Sequence, residues 1–105
     1  MKATEAQIVR AVLDYCFARG VFAWRNNSGA VKTERGGFVR FGAAGSPDIL
    51  GCLPDGRLLA IECKTETGKL SQDQKQFLGH LRALGAVVVV ARGINDIEAC
   101  LREFA

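Results

Sequence analysis

The sequence predicts an α/β fold, with a mixed β-sheet flanked by helices. Three features carry that expectation. Pro54-Asp55-Gly56-Arg57 separates two apolar runs of strand length, so 49–53 and 58–63 should form an antiparallel hairpin. A helix-periodic segment then leads into AVVVVA at 86–91, giving a strand–helix–strand crossover of right hand. The chain also opens on an amphipathic helix, whose apolar side needs a sheet to cover it.

Each element has its own signal. Residues 4–19 place Ile8, Val9, Val12, Leu13, Cys16 and Phe17 on one helical face, with Thr4 as cap and Gly20 as stop. Glu5 falls at the amino end of that face, near its margin. Residues 21–26 (VFAWRN) read as a short strand, punctuated by Asn27 to Gly29. Residues 30–37 are polar, basic and glycine-flanked, and are expected as loop. Phe38 to Phe41 reads as a second short strand. Gly42-Ala43-Ala44-Gly45-Ser46-Pro47 is too small and flexible to be core, and its proline fixes the chain just before Asp48. After the hairpin, Ser71 caps a helix with Gln74 at the capping-box position. Gln74, Phe77, Leu78, Leu81 and Leu84 mark one face of that helix, which ends near Gly85. AVVVVA fits a central strand covered on both sides. A last helix starts at Asn95 or Asp96 and carries Ile97, Cys100, Leu101 and Phe104.

Composition narrows the function classes. At 105 residues the chain is expected to be one domain, and 49% hydrophobic content excludes low-complexity disorder. No run approaches the roughly 20 apolar residues of a membrane span. The amino end lacks the apolar core and cleavage site of a secretory signal, so a cytoplasmic setting is expected. Cys16, Cys52, Cys63 and Cys100 include no CxxC pair, and only His80 could join them, so they read as buried thiols. The net charge of +3 is uneven. Residues 1–45 hold seven Lys or Arg against three acids, and residues 46–105 hold seven against eight. The basic amino half suggests a surface facing a polyanion.

The chemistry concentrates in Ser46-Pro47-Asp48 and Ile61-Glu62-Cys63-Lys64. Asp48 opens the first hairpin strand, while Glu62 and Lys64 close the second. Residues two apart on a strand point to one side, and antiparallel pairing brings Asp48 beside both. Cys63 then points into the apolar layer. An acid interrupting an apolar strand needs a partner. Two carboxylates that repel each other favour a cation between them, and a hard divalent ion takes carboxylate, carbonyl and water oxygens. The carbonyl of Cys63 is a further candidate ligand. Lys64 can hold a water for deprotonation and neutralise charge on a phosphate, which suits metal-assisted phosphodiester hydrolysis.

Gly45-Ser46-Pro47-Asp48, Ile61-Glu62-Cys63-Lys64, and Gly68-Lys69-Leu70-Ser71 with Gln74 together resemble the PD-(D/E)XK nuclease superfamily. Within it they resemble the virus-type replication-repair nuclease, or VRR-NUC, family. The resemblance runs from Glu5 to about Asp96. It implies a restriction-endonuclease-like core and a small Mg²⁺-dependent deoxyribonuclease, with Mn²⁺ as a possible substitute. It further implies a phage- or prophage-type, Holliday-junction-resolvase-like homodimer acting on branched DNA. Asp48 and Glu62 would be the metal carboxylates and Lys64 the catalytic lysine. Glu5 would complete the metal site or orient its water. Gln74 would face the active centre.

Other readings of the supporting residues stay open. Glu5 also suits a helix amino end, and Gln74 also suits a cap. Lys69, in the loop before that helix, is a candidate phosphate contact. Arg19, Arg25, Lys32, Arg35 and Arg40 stand against Glu34 alone between 19 and 40. Of these, Arg25, Lys32, Arg35 and Arg40 are the candidate nucleic-acid contacts, with Asn26, Asn27 and Ser28 as neutral additions. Nothing in the sequence suggests base-specific reading. A non-catalytic nucleic-acid-binding module, or a nuclease acting on flaps or ordinary duplex, is the alternative function.

Overall fold

The structure, a computed structural model, describes residues 2–27 and 29–104. It is an α/β fold with a mixed sheet flanked by helices. In chain order the elements are α1 (Glu5–Ala18), β1 (Phe22–Arg25), β2 (Gly29–Lys32), β3 (Phe38–Phe41), β4 (Ile49–Cys52), β5 (Leu58–Cys63), α2 (Gln72–Ala83), β6 (Val87–Ala91), α3 (Ile94–Leu101) and a short 3₁₀ turn (Arg102–Phe104). The main sheet runs β1-β4-β5-β6, while β2 and β3 pair in a sheet of their own. β4 pairs antiparallel with both β1 and β5, and β5 pairs parallel with β6 across α2.

The core follows from the two periodicities. On β5, Leu59, Ile61 and Cys63 share one face, and the parallel register aligns them with Val87, Val89 and Ala91 of β6. That face meets Ile8, Val9, Val12 and Cys16 of α1 and Ile97 and Leu101 of α3. Ile49, Leu59 and Ile61 are fully buried, each contributing about 1.5–3 kcal/mol of apolar burial. α2 lies on the opposite face, where Phe77 and Leu81 line a cavity with Leu50 and Leu58.

Both main helices start where the sequence places them. Thr4 and Gln7 form one capping box, and Ser71 and Gln74 form the other. α3 starts earlier than expected, at Ile94, because Asp96 serves the turn before it by accepting from the Arg92 backbone N–H.

Four expectations need correction. AVVVVA is an edge strand of the sheet, not a central one. Its apolar character reflects helices on its two faces, since α2 and α3 both pack against it. β2 falls where loop was expected. It pairs with β3 along its length, and the facing Val31 and Val39 are more than half exposed, so neither signals a buried strand. Phe17 is 86% exposed, because the sheet covers only the arc of α1 from Ile8 to Cys16. Cys52 is exposed near β1, while Cys16 and Cys63 are buried as expected.

Candidate active site

The hairpin register brings the acids together. Ile49 pairs with Ile61, so Asp48, one residue before β4, meets the end of β5. A carboxylate oxygen of Asp48 accepts from the Cys63 backbone N–H at 2.8 Å. Glu62 points to the other side of β5 from Ile61 and Cys63 and is 1% exposed. Glu5 approaches from the first turn of α1. One carboxylate oxygen from each of Glu5, Asp48 and Glu62 lies within 4.8 Å of the others.

Gln74 caps α2 and also contacts Glu62. Its Oε1 accepts from the Ser71 backbone N–H at 2.8 Å, completing the cap. Its Nε2 donates to Glu62 Oε1 at 3.3 Å. The other oxygen, Glu62 Oε2, is buried without a hydrogen-bond partner. In the ionised form this oxygen has lost its hydration with nothing in exchange, so either a proton shared with Asp48 or a cation completes it. The donor set consists of three carboxylates, which suits a hard divalent ion.

The remaining candidates fall into two groups. Lys64 directly follows β5, half-buried, and its charge acts on Glu62. Its side chain makes no hydrogen bond or ion pair among the described residues. The Cys63 N–H faces Asp48, and a strand residue's carbonyl points to the same side as its N–H, so that carbonyl lies along the same edge. Burial pushes the Cys63 thiol up to about 12, which leaves the carbonyl as the group it can offer a cation at neutral pH. Arg25 ends β1 opposite Ile49, and the next residue, Asn26, is the one that faces Asp48. Lys69 is exposed in the loop between β5 and α2. Lys32 and Arg35 stand exposed on the separate β2–β3 hairpin, so the basic segment is split between two sheets. The side chain of Arg40, and Ser28 altogether, lie outside the described residues.

Two supporting contacts were not expected. Arg92 Nη1 donates to the carbonyls of Thr65 at 2.6 Å and Gly68 at 2.7 Å, bracing the loop after Lys64. Its partners lie 24 and 27 residues away in sequence, so no local pattern announces them. Asn26, expected as a phosphate contact, instead donates from Nδ2 to Ser46 Oγ at 3.0 Å and to the Pro47 carbonyl at 2.9 Å. Both amide hydrogens are thereby used, and the remaining Oδ1 can only accept, as a phosphodiester does.

The VRR-NUC domain family matches this sequence over residues 4–95. The chain belongs to that family. A solved structure titled "VRR_NUC domain protein" is similar to it at a TM-score of 0.71 and 22% identity, covering 99% of this chain and 89% of that one. No curated protein matches. This VRR-NUC chain therefore has a nuclease-type fold, which implies nucleic-acid binding, together with an acidic cluster that can take a divalent metal. Among the described residues no helix is long and apolar enough to cross a membrane.

The electrostatics of the VRR-NUC cluster make a pH prediction. Burial first, then a hydrogen bond and the charge of Asp48, push Glu62 up to about 8 in the metal-free protein. Lys64 opposes this shift and Glu5 adds to it. The folded chain thus holds a proton that the unfolded chain gives up near pH 4.5. That contribution to stability is whole below pH 4.5 and is lost as pH rises through about 8. In EDTA, this term makes the Tm fall between pH 5 and pH 8.5. A divalent ion needs the carboxylate, so the Tm gained from added Mn²⁺ should widen over the same range. Thermal melts with and without Mn²⁺ check this, and a gap that narrows with pH contradicts it.

Proposed function

We propose that this chain is a structure-selective DNA endonuclease that hydrolyses phosphodiester bonds with Mg²⁺, Mn²⁺ serving as a substitute, and acts on branched DNA as a Holliday-junction-resolvase-like homodimer. The observation that carries the chemistry is the buried Glu62 Oε2, without a donor among the described residues, inside a three-carboxylate cluster, with the Lys64 charge acting on it from one residue beyond β5.

When bound, a divalent ion supplies Lewis acidity toward a phosphate oxygen and a water. Asp48 and Glu62 would hold it, with Glu5 and the Cys63 carbonyl available to fill out the oxygen set. The Cys63 N–H fixes one Asp48 oxygen and leaves the other to the site. Gln74 holds Glu62 Oε1 and so turns Oε2 inward. The Lys64 ammonium faces the charge that builds on the phosphate as a water oxygen bonds to phosphorus and the bond to the 3′ oxygen breaks. The products are a 5′-phosphate and a 3′-hydroxyl. Arg25, Lys32, Arg35, Arg40 and Lys69 track the backbone, giving a binding strength that falls steeply with salt.

One active site per chain makes symmetric cutting of two strands the work of a two-fold dimer. Exposed aromatics support an apolar interface. Phe22 is 72% exposed and Trp24 44% exposed, their rings 5.4 Å apart, on the sheet face that carries Leu50.

The test is cleavage of a labelled four-way junction beside linear, flapped and splayed duplexes, with Mg²⁺, Mn²⁺ or EDTA. Metal-dependent paired cuts confined to the junction are expected, together with a dimer mass in light scattering. Cutting of linear duplex at an equal rate rejects structure selection. A monomer that cuts rejects the dimer. Folded protein that binds but cuts nothing rejects the enzyme in favour of a binding module.

A further inference from the structure

We propose that Asn26 is the positioning residue of the metal centre, holding Asp48 in place through the carbonyl of Pro47. This rests on the metal-dependent nuclease reading above.

Asp48 belongs to neither strand nor helix. It follows a loop of small residues, and small exposed residues such as Ala43 and Ala44 cannot hold a loop by packing. Three constraints act on it. The Asn26 backbone N–H donates to the Asp48 carbonyl at 2.8 Å, which extends the β1–β4 pairing by one step. The Asn26 side chain reaches the two preceding residues, at Ser46 Oγ and the Pro47 carbonyl. It thereby donates to both residues that lead into Asp48.

The third constraint lies opposite. Gly45 has φ +79°, and a Cβ there would run into the carbonyl of Asp73 in the first turn of α2. The loop is thus pressed on the helix that carries Gln74 and tied back by Asn26. A carbonyl accepts but cannot donate, so Pro47 needs a donor, and Asn26 supplies it. With Pro47 fixed, the Asp48 backbone has little freedom, and its carboxylate stays on the Cys63 N–H within reach of Glu5 and Glu62. Groups that orient a metal ligand without touching the metal typically change affinity by about 10- to 100-fold when lost.

The experiment measures Mn²⁺ binding by calorimetry on the whole chain without DNA, beside melts in EDTA. Asn26→Ala keeps the backbone N–H and removes only the side-chain bonds. Mn²⁺ binding is expected to weaken by about tenfold or more, and cleavage should recover when Mn²⁺ is raised by the same factor. Ser46→Ala keeps the Pro47 bond and should bind Mn²⁺ close to the parent. Where Asn26→Ala gives no cooperative melt, Asn26→Asp is read in the same way, since it keeps the size and the reach to the Ser46 hydroxyl, which can donate to it, but sets an acceptor against the Pro47 carbonyl.

A folded Asn26 variant that binds Mn²⁺ as the parent does overturns the proposal, whatever its Tm. Loss in Ser46→Ala equal to that in Asn26→Ala overturns the role of Pro47. A parent chain that binds no Mn²⁺ fails at an earlier step and takes the metal-centre reading down with it.

Discussion

Lys64→Ala is expected to lower DNA cleavage at saturating Mn²⁺ by about 10²- to 10³-fold while leaving the fold in place. Loss of one preorganised group facing developing charge typically costs that much. The side chain of Lys64 makes no hydrogen bond or ion pair among the described residues, so its removal orphans nothing. The Tm should therefore stay near that of the parent, as for substitutions away from packing and hydrogen-bond networks. Lys64 also counteracts the rise of Glu62, so the variant should need a somewhat higher pH for equal Mn²⁺ affinity. Lys64→Arg keeps the charge but changes its shape, and only partial rescue is expected. Single-turnover cleavage of a labelled junction with saturating metal is the measurement. Undiminished cleavage by the alanine variant would remove Lys64 from the mechanism.

Glu62→Gln should move stability and function in opposite directions. The wild-type carboxylate is 1% exposed and has one oxygen without a partner. Replacing it with an amide removes a buried charge at pH 8 and keeps the shape. The amide oxygen can still accept from Gln74, and the new amide nitrogen can donate to Asp48 as the protonated Glu62 does, where the ionised form has no donor to offer. In EDTA at pH 8 the variant should be more stable by about 1–3 kcal/mol, the usual scale of an uncompensated buried polar group. The gain should vanish at pH 4, where the wild-type carboxyl is protonated as well. Mn²⁺ stabilisation and cleavage should both be lost. Chemical denaturation at the two pH values, with and without Mn²⁺, checks all four outcomes. A variant less stable than wild type in EDTA at pH 8 would mean that Glu62 serves the fold rather than a ligand.

Much of this was legible in the sequence because it rests on short-range physics. Helical spacing and the Thr4 and Ser71 caps mark α1 and α2, whose starts are settled within one turn. Pro54 to Arg57 marks the hairpin, and a hairpin's register is a local matter. That register alone carries Asp48 to the end of β5, which is why two of the three carboxylates could be placed before any tertiary contact was known. Glu5 was visible as an acid at the margin of an apolar face, a position that means a shared site only once α1 is laid on the sheet.

Other features depended on contacts distant in sequence. AVVVVA is equally apolar at a sheet centre and at an edge covered by two helices, so its composition could not separate the two. β2 leaves Val31 and Lys32 exposed, so neither marks a buried face, and the strand is seen through its pairing with β3. The basic segment between 19 and 40 reads as one stripe, yet the chain leaves the main sheet at residue 26 and puts Lys32 and Arg35 on a separate hairpin. Asn26 and Arg92 look like surface polar residues until the Pro47, Thr65 and Gly68 carbonyls are set beside them.

The sequence by itself thus determined the element types other than β2, the hairpin, the family and the nearness of Asp48 to Glu62, because periodicity, capping, turn chemistry and strand alternation act over a few residues. The tertiary structure alone decided which oxygen of Glu62 is orphaned, which polar side chains brace the loops around Asp48 and Lys64, and which faces stay uncovered. Those outcomes depend on where backbone carbonyls and helix faces from remote segments meet. No local propensity encodes that, because a hydrogen bond across 20 or more residues leaves no trace in the spacing of its partners.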